Sequence, residues 1–131
     1  MKKTILSVVL IFLISSCATT VKFPVSSVTP AAEITAKIKK DKNKNFVILI
    51  TTNYLASIER LSPPKHTYVV WMVTNDNVIK NIGQLKTKNA KEGSLDAVSS
   101  FEPAEIFLTA EDEGDVSNPQ GIEISRVKVK K

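Results

Sequence analysis

The run Thr67-Tyr68-Val69-Val70-Trp71-Met72-Val73-Thr74 (TYVVWMVT) is the strongest strand signal in the 131-residue chain. It is almost entirely β-branched and aromatic. Pro63-Pro64 stands just upstream and forbids a helix from running into it, and Asn75-Asp76-Asn77 supplies a turn that tolerates left-handed backbone. Downstream, Val78 to Thr87 (VIKNIGQLKT) reads as the returning strand and carries Gly83. Upstream, Tyr54 to Pro64 (YLASIERLSPP) has helix-like spacing over a short length and is expected to be a connection with at most one helical turn.

Further out the period is two. Ile34, Ala36 and Ile38 alternate with Glu33, Thr35, Lys37 and Lys39, and Phe46 to Thr52 is an apolar run of strand length behind the polar turn Asp41 to Asn45, which together predict a hairpin. Leu95 to Phe101 is a weaker strand, Glu105 to Ala110 a stronger one, and Ile122 to Val129 alternates cleanly. Seven to eight short strands separated by turn signals predict an all-β antiparallel β-sandwich of immunoglobulin-like type.

The N-terminus is a different object. Met1-Lys2-Lys3 is a basic head, and Ile5 to Ile14 is a ten-residue apolar stretch that reaches about 15 Å as a helix, half the hydrocarbon core of a bilayer. Ile14-Ser15-Ser16 then leads into Cys17, the single cysteine. This resembles a bacterial lipoprotein signal, with cleavage after Ser16 and acyl chains on Cys17. Such acylation gives stable attachment and removes a free thiol that an exported chain would otherwise expose. The alternatives are an ordinary secretory signal with an incidental cysteine and a short membrane anchor. The expected division is therefore a signal over 1–16, a tether over 17–30 with an edge strand near Phe23 to Val28, and the sandwich over 31–131.

Cleavage would also remove Lys2 and Lys3, lowering the formal charge from +5 to +3. A mildly basic exported domain without aromatics interleaved among its lysines is not expected to bind nucleic acid. Because Ala18 follows Cys17, the outer membrane is the expected site in a cell with two membranes, and the outer leaflet of the cytoplasmic membrane otherwise.

Catalytic residues are not expected. His66 is the single histidine and has no nucleophile or orienting acid assignable to it. Glu111, Asp112, Glu113, Asp115 and Asn118 cluster hard oxygen ligands, but Gly114 comes too early for a calcium loop, so a solvated acidic turn competes with a calcium site and no metal or cofactor is assigned. Lys37, Lys39, Lys40, Lys42 and Lys44 are expected on the wet face and tip of the first hairpin, as a solubilising edge or a contact for anionic lipid or polysaccharide. Phe46 to Ile50 and Tyr68 to Val73 are apolar on both faces, where a sandwich strand needs one. The second face is expected to be covered by the Tyr54 to Pro64 connection, or else by a partner protein or a second copy bound at Ile48, Val70 and Met72.

Leu61-Ser62-Pro63-Pro64, Tyr68 to Val73 with Trp71, Asn81-Ile82-Gly83, Phe107 to Asp115 and Asn118-Pro119-Gln120-Gly121 together resemble the C-terminal extracytoplasmic domain of anti-sigma-K factors over roughly Ala31 to Ile124. The resemblance implies a β domain outside the cytoplasm; independently of it, Tyr68 and Trp71 read as large core residues, Gly83 as a bulge or close approach opposite them, and Gly114 and Gly121 as bracketing a turn. The family's sigma-binding helical domain and membrane span have no counterpart here, so sigma inhibition is not carried over. Two functions follow as expectations. One is a non-enzymatic, lipid-anchored envelope module that binds a protein or glycan or senses the envelope; the other is an accessory sensor partner of a transmembrane anti-sigma system.

Overall fold

Nine strands account for almost all regular structure in the computed structural model, which describes residues 18–89 and 91–129. They are β1 (Thr19–Lys22), β2 (Glu33–Lys40), β3 (Phe46–Asn53), β4 (Thr67–Thr74), β5 (Ile79–Gln84), β6 (Lys86–Thr87), β7 (Glu92–Ser99), β8 (Pro103–Glu111) and β9 (Ile122–Lys128). One five-stranded antiparallel sheet runs β1-β2-β3-β7-β6 and faces a four-stranded antiparallel sheet in the order β5-β4-β8-β9. With β1 set aside as an added edge, β2-β3-β7-β6 and β4-β8-β9 reproduce the two sheets of an immunoglobulin-like sandwich. The Tyr54 to Pro64 connection holds one short 3-10 turn, Ile58–Arg60, as its spacing and closing prolines predict.

The register of the first hairpin decides which side of β3 is the core. Strand β2 has one apolar face, and it pairs Ile38 with Ile48 and Ala36 with Ile50. Those residues form the inner layer with Val70, Met72, Ile106 and Leu108 from the opposite sheet, all 6% exposed or less. Burying one such side chain contributes about 1.5–3 kcal/mol.

Two expectations are corrected here. The run Val78 to Thr87 is not one strand: β5 belongs to the four-stranded sheet, and the chain then crosses at Leu85 to place β6 in the other. A bulge prepares the crossing. Val70 pairs with Gly83 but Trp71 pairs with Asn81, so Ile82 is the extra residue, and Gly83 takes φ 137°, a backbone conformation glycine tolerates. A Cβ at Gly83 would stand 3.0 Å from Leu95 on the facing sheet, so a side chain is unwelcome there on both counts.

Nor are residues 19–30 a tether. Thr19 to Lys22 pair with Ile38 to Thr35 as an edge strand, earlier than the Phe23 to Val28 expected. Residues 23–30 then turn about Ser26, whose hydroxyl accepts the backbone N–H groups of Val28 and Thr29, both at 3.0 Å. Phe23 joins the core, and the Ser125 hydroxyl donates to the Pro24 carbonyl at 2.8 Å, so this segment is fastened to β9 across the side of the sandwich. Its Thr, Ser and Pro content reflects a tight turn and not a flexible linker.

Candidate functional site

Val69, Trp71 and Val73 alternate with the core residues of β4 and therefore face away from the opposite sheet, yet Trp71 is fully buried. Its ring stacks on Phe107 of β8 with centroids 6.1 Å apart, and the Arg126 guanidinium lies 3.9 Å from the Phe107 centroid on the next strand. Glu105 and Glu123 hold that guanidinium at 3.0 and 2.8 Å. Val116 packs on the same cluster from the loop that joins β8 to β9.

The loop over 112–121 therefore covers the second face of β4, not the Tyr54 to Pro64 connection. Three contacts strap it down. The Asn81 amide donates to the carbonyls of Gly114 and Val116, each at 2.9 Å, while its own carbonyl accepts Gly83 N–H. The backbone N–H of Gln120 reaches both carboxylate oxygens of Glu111 at 3.2 Å. Gly121 sits too close to its neighbours for any side chain, since a Cβ would meet the Ala110 carbonyl oxygen at 1.8 Å; at Gly114 a Cβ would displace only the flexible end of the exposed Gln84 side chain.

The surface expected at Ile48, Val70 and Met72 does not exist in this fold. All three lie in the layer between the sheets, at 0 to 1% exposure, where no partner reaches them. The outward apolar residues of β3 are instead Val47 and Leu49, which share a shallow groove with Lys37, Lys39 and Asp96.

The acidic cluster is likewise taken apart. Glu111 is 1% exposed and points inward, accepting the Thr109 hydroxyl at 2.6 Å. Asp112 turns outward, 3.5 Å from Lys65 Nζ and 3.8 Å from His66 Nδ1. Among the described residues no group of three or more His, Cys, Asp or Glu is placed to hold a metal ion. Sequence reasoning missed Thr109, Asn81 and the inward role of Glu111. The available signal was the phase of β8, which puts Phe107, Thr109 and Glu111 on the face that Trp71 shares.

A cavity of about 280 Å³ opens at the end of the sandwich formed by the 54–66 connection and the β6–β7 turn. Leu55, Ser57, Glu59, His66 and Asn89 line it, with Tyr68 beneath. The Tyr68 hydroxyl donates to the Ala56 carbonyl at 2.7 Å, and burial together with the nearby charge of Glu59 pushes its pKa up to about 12. Tyr68 is thus a fixed neutral wall, with a carboxylate, an imidazole and an amide at the rim: hydrogen-bonding groups beside an apolar floor. The hairpin lysines lie at the opposite end, where Asp41 closes the turn by accepting Asn43 and Asn45 N–H at 2.8 and 2.9 Å.

Among the described residues no helix is long and apolar enough to cross a membrane. Cys17 lies outside the described residues. Compared with known protein families, curated proteins and solved structures, the chain matches none.

Proposed function

We propose that the chain is a non-enzymatic, lipid-anchored β-sandwich of the bacterial cell envelope. Acylated Cys17 holds it to the membrane, and the cavity at the far end takes a protein or glycan partner. One observation carries the reading. Strand β1 begins at Thr19, and the core residues start at Phe23, so a cut between Ser16 and Cys17 leaves every described strand in the mature domain. A further support is that the polar side chains with most chemical potential around Trp71 are committed to holding the 112–121 loop. The cavity lies at the end of the molecule away from residue 18, where a tethered module meets other envelope components.

Intact-mass measurement of the mature chain, with fractionation of wild type and Cys17→Ala, tests the anchor. The expected result is an acylated Cys17 in the membrane fraction and an unacylated variant with altered fractionation. A photo-crosslinker at Asn89 tests the binding end in living cells. One recurrent adduct, absent when the crosslinker is moved to exposed Val25, supports the reading. An unmodified Cys17 or an adduct pattern indifferent to position overturns the corresponding half.

A further inference from the structure

We propose that the end of the sandwich at which the chain enters seats directly on an anionic bilayer surface, so that the domain stands on its lysine-rich pole. This rests on the lipid-anchor reading of Cys17. The topology gathers that pole from distant parts of the chain. Thr19 pairs with Ile38, so Ala18 lies beside the end of β2, and the 41–45 turn follows. Phe46 pairs with both Lys40 and Ser99, which brings in the segment leading to Phe101. Thr74 pairs with Pro103, which adds the turn over 75–78 and the start of β5.

The pole has the two properties an anionic headgroup layer selects. The first is charge: Lys39, Lys40, Lys42, Lys44, Lys80 and Lys128 stand there against Asp41, Asp76, Glu102 and Glu105. The opposite end mixes Arg60, Lys65, Lys86, Lys88 and Lys91 with Glu59, Glu92 and the acidic loop and has no such excess. The second is exposed apolar surface. Val98, Phe101, Val78 and Ile79 are 64, 50, 47 and 40% exposed, and all four lie at this pole. Lys80 Nζ stands 4.8 Å from the Phe101 centroid and Lys40 Nζ 5.7 Å from that of Phe46. An aromatic ring with a lysine arched over it fits the boundary between acyl chains and phosphates, the ring inward and the ammonium among the headgroups.

Reach selects lipid over a soluble polyanion. One residue, Ala18, separates Cys17 from Thr19, so two steps along the chain, at most about 7 Å of backbone, join them. That is within the Debye length of about 8 Å at physiological ionic strength, so an acyl chain on Cys17 holds this pole inside the surface field of its own membrane. Each lysine held at an anionic leaflet is worth about fivefold in partition.

The acylated full chain, reconstituted in phosphatidylcholine vesicles with or without phosphatidylglycerol, is treated with a water-soluble amine-labelling reagent and read by peptide mass spectrometry. With phosphatidylglycerol present, Lys42, Lys44 and Lys80 are expected to react at least about fivefold more slowly than in zwitterionic vesicles, with Lys88 and Lys91 unchanged. High salt restores the rate. In Lys39→Glu/Lys42→Glu, two exposed changes, the protection of Lys44 and Lys80 is lost. Equal labelling of both ends in every vesicle, on a chain whose mass shows acylated Cys17, overturns the seating and leaves the anchor standing. A chain without acyl groups overturns both, and the mass distinguishes the two failures.

Discussion

The hydroxyl of Thr109 donates to Glu111 Oε2 at 2.6 Å while accepting the indole N–H of Trp71 at 2.8 Å. A buried indole donor and a buried carboxylate are thereby satisfied through one oxygen. The same carboxylate then accepts Gln120 N–H and fixes the end of the loop that covers Trp71.

Replacing Thr109 with valine keeps the shape and removes that oxygen, leaving both the indole and the carboxylate short of a partner. An unpaired buried polar group costs about 1–3 kcal/mol, more when charged, so Thr109→Val is expected to lose at least that much in urea denaturation. The near-ultraviolet circular dichroism of the single tryptophan should weaken as its surroundings loosen. Hydrogen exchange should accelerate in 112–121 ahead of β2 and β3. A variant as stable as wild type would mean that this network does not hold the loop.

Met72 faces the opposite sheet and is fully buried, so Met72→Ala opens a cavity in the central layer. The expected loss is about 2–5 kcal/mol. Val98 is 64% exposed on the outside of β7, and Val98→Thr, which keeps the β-branch, should stay within about 0.5 kcal/mol of wild type. Similar small effects at both positions would place Met72 on a surface and reopen it to a partner.

What the sequence made legible followed from period and punctuation. Thr67 to Thr74 is a strand between those same residues, and the β2–β3 hairpin forms over its polar turn. The closing prolines confine the connection before β4 to a single turn. What it hid was phase. From Phe46 to Ile50 in β3 and from Tyr68 to Val73 in β4 every residue is apolar, so alternation does not say which face is the core. Only the pairing of Ile48 with amphipathic β2 resolves it, and that is a contact between strands. The break of Val78 to Thr87 was hidden for a related reason: Leu85 is buried like a strand residue, but its N–H bonds Tyr68 at 2.9 Å as the chain changes sheet. The basic pole was half legible. Lys39 to Lys44 are neighbours in sequence, whereas Lys80 and Phe101 join them through the register of β3, β7 and β8. Glu111 looked like one more surface carboxylate because its acidic neighbours Asp112, Glu113 and Asp115 obscured its place in the β8 alternation.

Tyr68 gives the fold a signature at alkaline pH. It is 3% exposed, bonded to Ala56, and its pKa is raised to about 12 by burial first and by the charge of Glu59 second. An ordinary tyrosine in the unfolded chain titrates near about 10. The folded state therefore holds this proton more tightly, and the resulting stability is complete below about pH 10 and lost as pH climbs toward about 12. Other groups titrate in the same range, so the readout is the difference between wild type and Tyr68→Phe in urea titrations from neutral to alkaline pH. The variant should start about 0.5–1.5 kcal/mol lower for the missing hydrogen bond and then fall less steeply across that window. Parallel curves for the two proteins would show that the hydroxyl ionises as freely in the folded chain as in the unfolded one, and that the floor of the cavity is open to water.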